Sequence, residues 1–162
     1  MISAAVLPCA AQDQSKTSFR RVVSALSGKW SIRETSEHGE TTGEEVWQGG
    51  TGGMPLTEEF RATTANGKKL TDYAAVWRDG KTKNVRGIWC ADFNDQGCTP
   101  FEVTWHGNDI DMTGEYESKG NRMAWKEIFH VTSAATFTQT LYAGTRGEEL
   151  KKVSTIVAER KP

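Results

Sequence analysis

The chain has 162 residues, 36% of them hydrophobic and 25% charged, with 20 Lys+Arg against 21 Asp+Glu and a net charge of −1. That composition suits one packed domain and excludes a disordered chain. The balanced charge leaves no basic stripe for nucleic acid, and no apolar run approaches the ~20 residues of a membrane-spanning helix.

Residues 1–12, MISAAVLPCAAQ, are small and apolar and end in Cys9-Ala10-Ala11. This resembles the back half of an export signal with a small-residue cleavage site, the alternative being a disordered tail. Residues 13–162 then form a single domain. Export predicts a periplasmic or secreted protein, and without it a cytoplasmic one. Removal of Cys9 leaves Cys90 and Cys98, an even pair suited to an oxidising compartment. No Cys/His spacing points to a metal, and no cofactor is implied.

Residues 17–27 place Phe19, Val22, Val23 and Leu26 on one helical stripe, with Ser15 or Thr17 as caps and Gly28 as the stop. Beyond Gly28 the helical period is replaced by ten short alternating segments separated by Gly- and Asn-rich turns: 29–36, 43–49, 55–64, 69–78, 83–91, 98–106, 109–118, 122–131, 136–143 and 149–159.

The turns predict registers. A two-residue turn at Asn66-Gly67 sets Phe60 opposite Tyr73, Glu58 opposite Ala75 and Leu56 opposite Trp77. Gly107-Asn108 sets Trp105 against Ile110, Val103 against Met112 and Phe101 against Gly114. Gly120-Asn121 sets Tyr116 against Trp125, Gly114 against Glu127 and Met112 against Phe129. Keeping Trp77 and Trp89 on one face, with Gly87 beside Phe101, also sets Cys90 opposite Cys98 on the outer face, where a disulfide can form. The hairpin near Thr132–Ala134 brings Glu127 opposite Gln139.

A meander of ten antiparallel strands hides its edges most simply by closing into an up-and-down barrel, and a barrel of this size can enclose one small ligand. Gly87 and Gly114 flank Phe101 on the inner face, marking either a cavity or a bend in the wall. Trp77, Trp89, Trp105 and Trp125 are expected to line the interior.

Gly28-Lys29-Trp30, at the junction of a short helix and the first strand, resembles the Gly-x-Trp signature of lipocalin-like (calycin) barrels. The resemblance implies that the tryptophan closes the barrel base and that a basic residue at the end of the last strand, Arg160 or Lys161, stacks on it. From Gly28 to Lys161 the chain further resembles the bacterial family called domain of unknown function fifteen seventy-nine. That likeness is carried by Leu26-Ser27-Gly28-Lys29-Trp30, Trp77-Arg78-Asp79 with Trp89 following, Thr113-Gly114-Glu115-Tyr116 and the ending Thr155–Lys161. The family implies a fold and often export, and supplies no agreed activity.

Glu127 interrupts the apolar row Met123, Trp125, Phe129, Val131, so its carboxyl is expected to point inward, where burial raises its pKa unless a partner such as Gln139 is found. The pair can anchor the polar end of a ligand, a raised-pKa Glu127 can act as general acid or base, or Glu127 can satisfy an internal water or an inward Arg. Glu58 is a second inward carboxylate, expected to be solvated at the barrel mouth. His130 should point outward, and as an inward axial heme ligand it is a lesser alternative. His38 and His106 fall in turns. The run Gln48–Gly53 lacks the residues of a phosphate loop and is either a lid over the open end or a plain loop.

The predicted function is binding of a small hydrophobic molecule by Phe60, Tyr73, Gly87, Trp89, Phe101, Met112, Gly114, Tyr116, Trp125, Glu127, Phe129 and Gln139. The alternatives are an enzyme that uses Glu127 on a small apolar substrate and a structural barrel with a filled interior. The oligomeric state is not legible.

Overall fold

The computed structural model describes residues 10–52, 54–92 and 97–162. One helix, α1 (Ala10–Leu26), precedes ten strands: β1 (Gly28–Ser36), β2 (Gly39–Gly49), β3 (Leu56–Thr64), β4 (Lys69–Arg78), β5 (Val85–Ala91), β6 (Cys98–His106), β7 (Asp109–Ser118), β8 (Asn121–Val131), β9 (Thr136–Thr145) and β10 (Lys151–Arg160). Each strand pairs antiparallel with the next, and β1 also pairs with β10, so the sheet is a closed barrel with no free edge. All ten expected strands form. The expected segment at residues 1–12 lies mostly outside the described residues, and α1 begins at Ala10, so Ser15 and Thr17 fall within the helix rather than at its cap.

β2 begins at Gly39, earlier than expected, because Glu37-His38 is a two-residue turn between Ser36 and Gly39. In β10 the register shifts between Lys152 and Ser154, a bulge that leaves Val153 outside and returns Ser154, Ile156 and Ala158 to the interior.

Two of the three predicted turn registers need correction. Asn66-Gly67 does not form a two-residue turn. Gly67 has φ +82° while Asn66 stays at negative φ, and Thr64 N–H donates to the Lys68 carbonyl across a three-residue loop. Phe60 therefore opposes Asp72, not Tyr73. A one-residue slip exchanges the two faces of a strand, so Tyr73 and Trp77 turn outward while Asp72, Ala74 and Val76 turn inward. Tyr73 is 46% exposed, whereas Ala74 and Val76 are buried. Trp77 accordingly does not share a face with Trp89.

At the β7–β8 hairpin the turn residues are Lys119 and Gly120, both at positive φ, and Ser118 pairs with Asn121. Gly114 thus meets Trp125, and Met112 meets Glu127. This slip is by two residues, so every side chain keeps its face. The Gly107-Asn108 register stands as read, with Trp105 opposite Ile110 and Phe101 opposite Gly114.

One end of the barrel is plugged. Val22 and Leu26 of α1 are buried, as are Trp30, Leu56, Val76, Val85, Ile110, Phe129, Phe137 and Ala158. Trp30 is the centre of the seal. Its Nε1–H donates to the Leu26 carbonyl at 2.7 Å and its ring meets Phe137 edge-on at 4.6 Å. The Arg160 guanidinium lies 4.2 Å from the Trp30 ring and donates from Nη1 to the Ser27 carbonyl at 2.5 Å and from Nε to the Ala134 carbonyl at 2.7 Å. Of the two basic candidates, Arg160 is the one that stacks. Gly28, at φ +141°, leaves room for it: a Cβ there would lie 2.2 Å from Arg160 Nη1.

Residues 48–52 of the Gly-rich run belong to this plugged end and are not a lid over the open one, while Gly53 lies outside the described residues. A Cβ at Gly50 would lie 2.4 Å from Val23 Cγ2 of α1.

Candidate functional site

Above the plug the barrel is hollow. A cavity of about 510 Å3 runs upward to the β7–β8 turn at Ser118 and Lys119. Among the described residues, therefore, the interior is not filled. Nine of the twelve residues expected at the ligand line it: Phe60, Trp89, Phe101, Met112, Tyr116, Trp125, Glu127, Phe129 and Gln139. Tyr73 is outside the barrel for the register reason given above.

Gly87 and Gly114 do not touch the cavity, because aromatic rings cover them. A Cβ on Gly87 would sit 2.2 Å from Phe101 Cζ, and one on Gly114 would sit 2.6 Å from Trp125 Nε1. The two glycines are seats that let Phe101 and Trp125 lie flat on the wall. The rings meet edge-on at 5.6 Å, and Trp89 stands 6.2 Å from Trp125.

The polar part of the cavity is wider than expected. Gln139 Nε2 donates to Glu127 Oε1 at 2.5 Å, although the two are not directly opposed: Phe129 opposes Gln139, and Leu141 opposes Glu127. Glu45, Glu58, Asp72 and Glu34 also line the cavity. Glu58 is buried rather than solvated at a mouth, because the start of β3 belongs to the helix-plugged end. Glu45 and Asp72 were not foreseen. Glu45 shares the face of Trp47 by alternation, and that parity was the available signal; Asp72 was hidden by the β4 slip.

Burial raises the pKa of four of these carboxyls. Glu45 is pushed up to about 8, with the Trp47 indole N–H bonded to Oε1 opposing the shift. Glu127 is pushed up to about 7, opposed by the hydrogen bond from Gln139. Asp72 is pushed up to about 6, opposed by hydrogen bonds from Glu58 and Trp89. Glu58 is raised well above the carboxylate range by burial and then by the charge of Asp72, so it is the protonated partner that donates to the Asp72 carboxylate.

Three buried polar atoms on this wall have no protein partner: Glu45 Oε2, Gln139 Oε1 and Trp125 Nε1. Among the described residues, Lys119, exposed at the rim, is the one basic residue of the lining. Among the described residues no group of three His, Cys, Asp or Glu side chains is arranged to hold a metal ion. His130 points outward as expected and its Nδ1 pairs with Asp109 Oδ1 at 2.5 Å, so it cannot reach a ligand in the cavity. On the outer wall Cys90 and Cys98 are bonded across β5 and β6.

No helix among the described residues is long and apolar enough to cross a membrane. No protein-family model matches the chain, and neither does any curated protein. Solved structures do match. Rv2717c from M. tuberculosis superposes with a TM-score of 0.62 at 15% identity, covering 89% of this chain and 98% of that one. The S-type phycobiliprotein lyase CPES from Guillardia theta gives 0.54 at 9% identity, covering 96% and 99%. A redesigned β-barrel, mFAP1, bound to DFHBI gives 0.51 at 17% identity, covering 86% and 99%. At such identities the likeness is one of fold, and the fold these proteins share with this chain is the closed antiparallel barrel.

Proposed function

We propose that this protein binds a small, largely apolar molecule inside the barrel, with the aromatic wall supplying burial and the Glu127–Gln139 pair orienting one polar group. The observation that carries this reading is the cavity of about 510 Å3, within the range of small-molecule sites, lined by aromatics around a few convergent polar groups. That a redesigned barrel of similar fold holds DFHBI supports the reading. The Cys90–Cys98 bond fits an exported protein, and the resemblance of Leu26–Trp30 and Thr113–Tyr116 to the domain of unknown function fifteen seventy-nine family supports placing the chain beside it.

The test is binding of a neutral apolar dye, N-phenyl-1-naphthylamine, followed by fluorescence. Ala143 lines the cavity, and Ala143→Phe fills part of it; the substitution should weaken dye binding by about tenfold or more. Absence of dye binding to the wild-type chain, or equal binding by the variant, overturns the proposal.

A second reading is favoured by one observation: a buried carboxyl at about pKa 7, as in Glu127, suits proton transfer near neutral pH. Should a turned-over substrate be found, Glu127→Gln would abolish turnover while leaving its affinity largely unchanged.

A further inference from the structure

Resting on that reading, we infer that the ligand is an organic cation: an aromatic body carrying a protonated amine, with the ammonium seated between Glu45 and the Glu127–Gln139 pair. Two independent features point there.

The first is what the wall offers. Glu45 is 2% exposed and Gln139 8% exposed, both residues line the hollow, and each has one buried oxygen with no hydrogen-bond partner among the described residues. An unpaired buried acceptor costs about 1–3 kcal/mol, more when charged. An ammonium brings three donors and no acceptor, so it can satisfy Glu45 Oε2 and Gln139 Oε1 together. Trp47, Trp89 and Trp125 line the same space, and indole faces attract cations when water is excluded.

The second is the charge of the lining as a whole. Acidic groups face inward from β1 (Glu34), β2 (Glu45), β3 (Glu58), β4 (Asp72) and β8 (Glu127). β7 contributes Tyr116, β9 contributes neutral Gln139, and β5, β6 and β10 contribute no titratable group. Lys119 is at the rim, exposed. The ion pairs given by Glu44, Glu59, Asp109, Asp111 and Glu115 are all on the outer face or the turns, so they do not neutralise the interior. An anionic ligand would add to this charge. A neutral one would leave it uncompensated.

A cation would also displace the protons that burial holds in the cavity. Near neutral pH part of the population of Glu45 and Glu127 is protonated. A bound ammonium favours the charged carboxylates, so binding releases protons and tightens as pH rises.

Three naphthalene probes of one shape separate the possibilities by calorimetry: 2-(2-naphthyl)ethylammonium, 2-(2-naphthyl)ethanol and 2-naphthylacetate. At about pH 8 the ammonium should bind about tenfold or more tightly than the alcohol, and the acetate more weakly than either. Its affinity should fall several-fold at about pH 6, and the heat should change between phosphate and Tris buffers as protons are released. Glu45→Gln, which keeps the shape of the side chain, should remove about tenfold of the ammonium's affinity and leave the alcohol's within about twofold. Equal or tighter binding of the alcohol or acetate overturns the inference while leaving ligand binding intact. Failure of all three probes in a barrel that still takes up N-phenyl-1-naphthylamine also overturns it. Failure of that dye as well brings down the proposed function itself.

Discussion

Gly87 and Gly114 show how single residues shape this molecule. Each lies under an aromatic ring, at 2.2 Å and 2.6 Å from where a Cβ would stand, and neither has an unusual φ. Their role is therefore spatial: they give Phe101 and Trp125 a flat seat and so set the width of the hollow. Gly114→Ala should displace the Trp125 indole and destabilise the fold by about 1–3 kcal/mol, the usual cost of overpacking, read as a lower urea midpoint. An unchanged midpoint would show that the ring can move at no cost. Glycines facing an aromatic were readable from the sequence as either cavity or bend; the ring that covers each one decides between them, and ring placement depends on the neighbouring strand.

At the scale of elements, β5 and β6 are joined across Cys90 and Cys98, which are 8 residues apart. Reduction should cost about 2–3 kcal/mol by the loop-entropy argument for so short a loop, measured by urea unfolding with and without reductant; equal midpoints would contradict it. This pairing was legible from setting Gly87 beside Phe101, the part of that reading that held, whereas the shared face for Trp77 and Trp89 did not. β4 was not, and the cause is its composition. Leu70, Asp72, Ala74 and Val76 alternate with Thr71, Tyr73, Ala75 and Trp77, so both faces carry apolar residues and the pattern cannot choose between them. The choice fell to the Asn66-Gly67 turn, and that dipeptide, though typical of two-residue turns, also serves a three-residue loop whose left-handed position is taken by Gly67. The β7–β8 turn was misplaced by two residues without harm, since a two-residue slip preserves the faces and hence the inward set of Met112, Gly114, Tyr116, Trp125 and Glu127. Glu45 escaped notice for another reason. A charged residue on an inward face breaks the apolar alternation that reveals the face, and Trp47 two residues on was the compensating clue.

For the whole molecule, the buried carboxyls impose an unusual dependence on pH. The unfolded chain releases their protons near the ordinary value of 4.5 for Glu, whereas the folded chain holds those of Glu127 to about 7 and of Glu45 to about 8. Between these limits the native state binds more protons than the unfolded state, so stability falls as pH rises. Below the lower limit both states are protonated and the penalty vanishes. Each unit of upward shift corresponds to about 1.4 kcal/mol, so unfolding at about pH 8 should require several kcal/mol less than at about pH 5. Glu45→Gln should flatten that slope and stabilise the chain at the alkaline end. A urea midpoint that climbs with pH across this window would refute the assignment of these groups as buried acids.

The plug of α1, Trp30 and Arg160 has a directional consequence for traffic through the barrel. With the base sealed and the rim at Ser118 and Lys119 open, arrival and departure share one doorway among the described residues. Any guest must then travel head first, its charged tip leading past Tyr116 and its opposite pole trailing toward water. Bulk appended at the trailing pole would stay outside the doorway and be tolerated, while the same bulk beside the tip would bar passage.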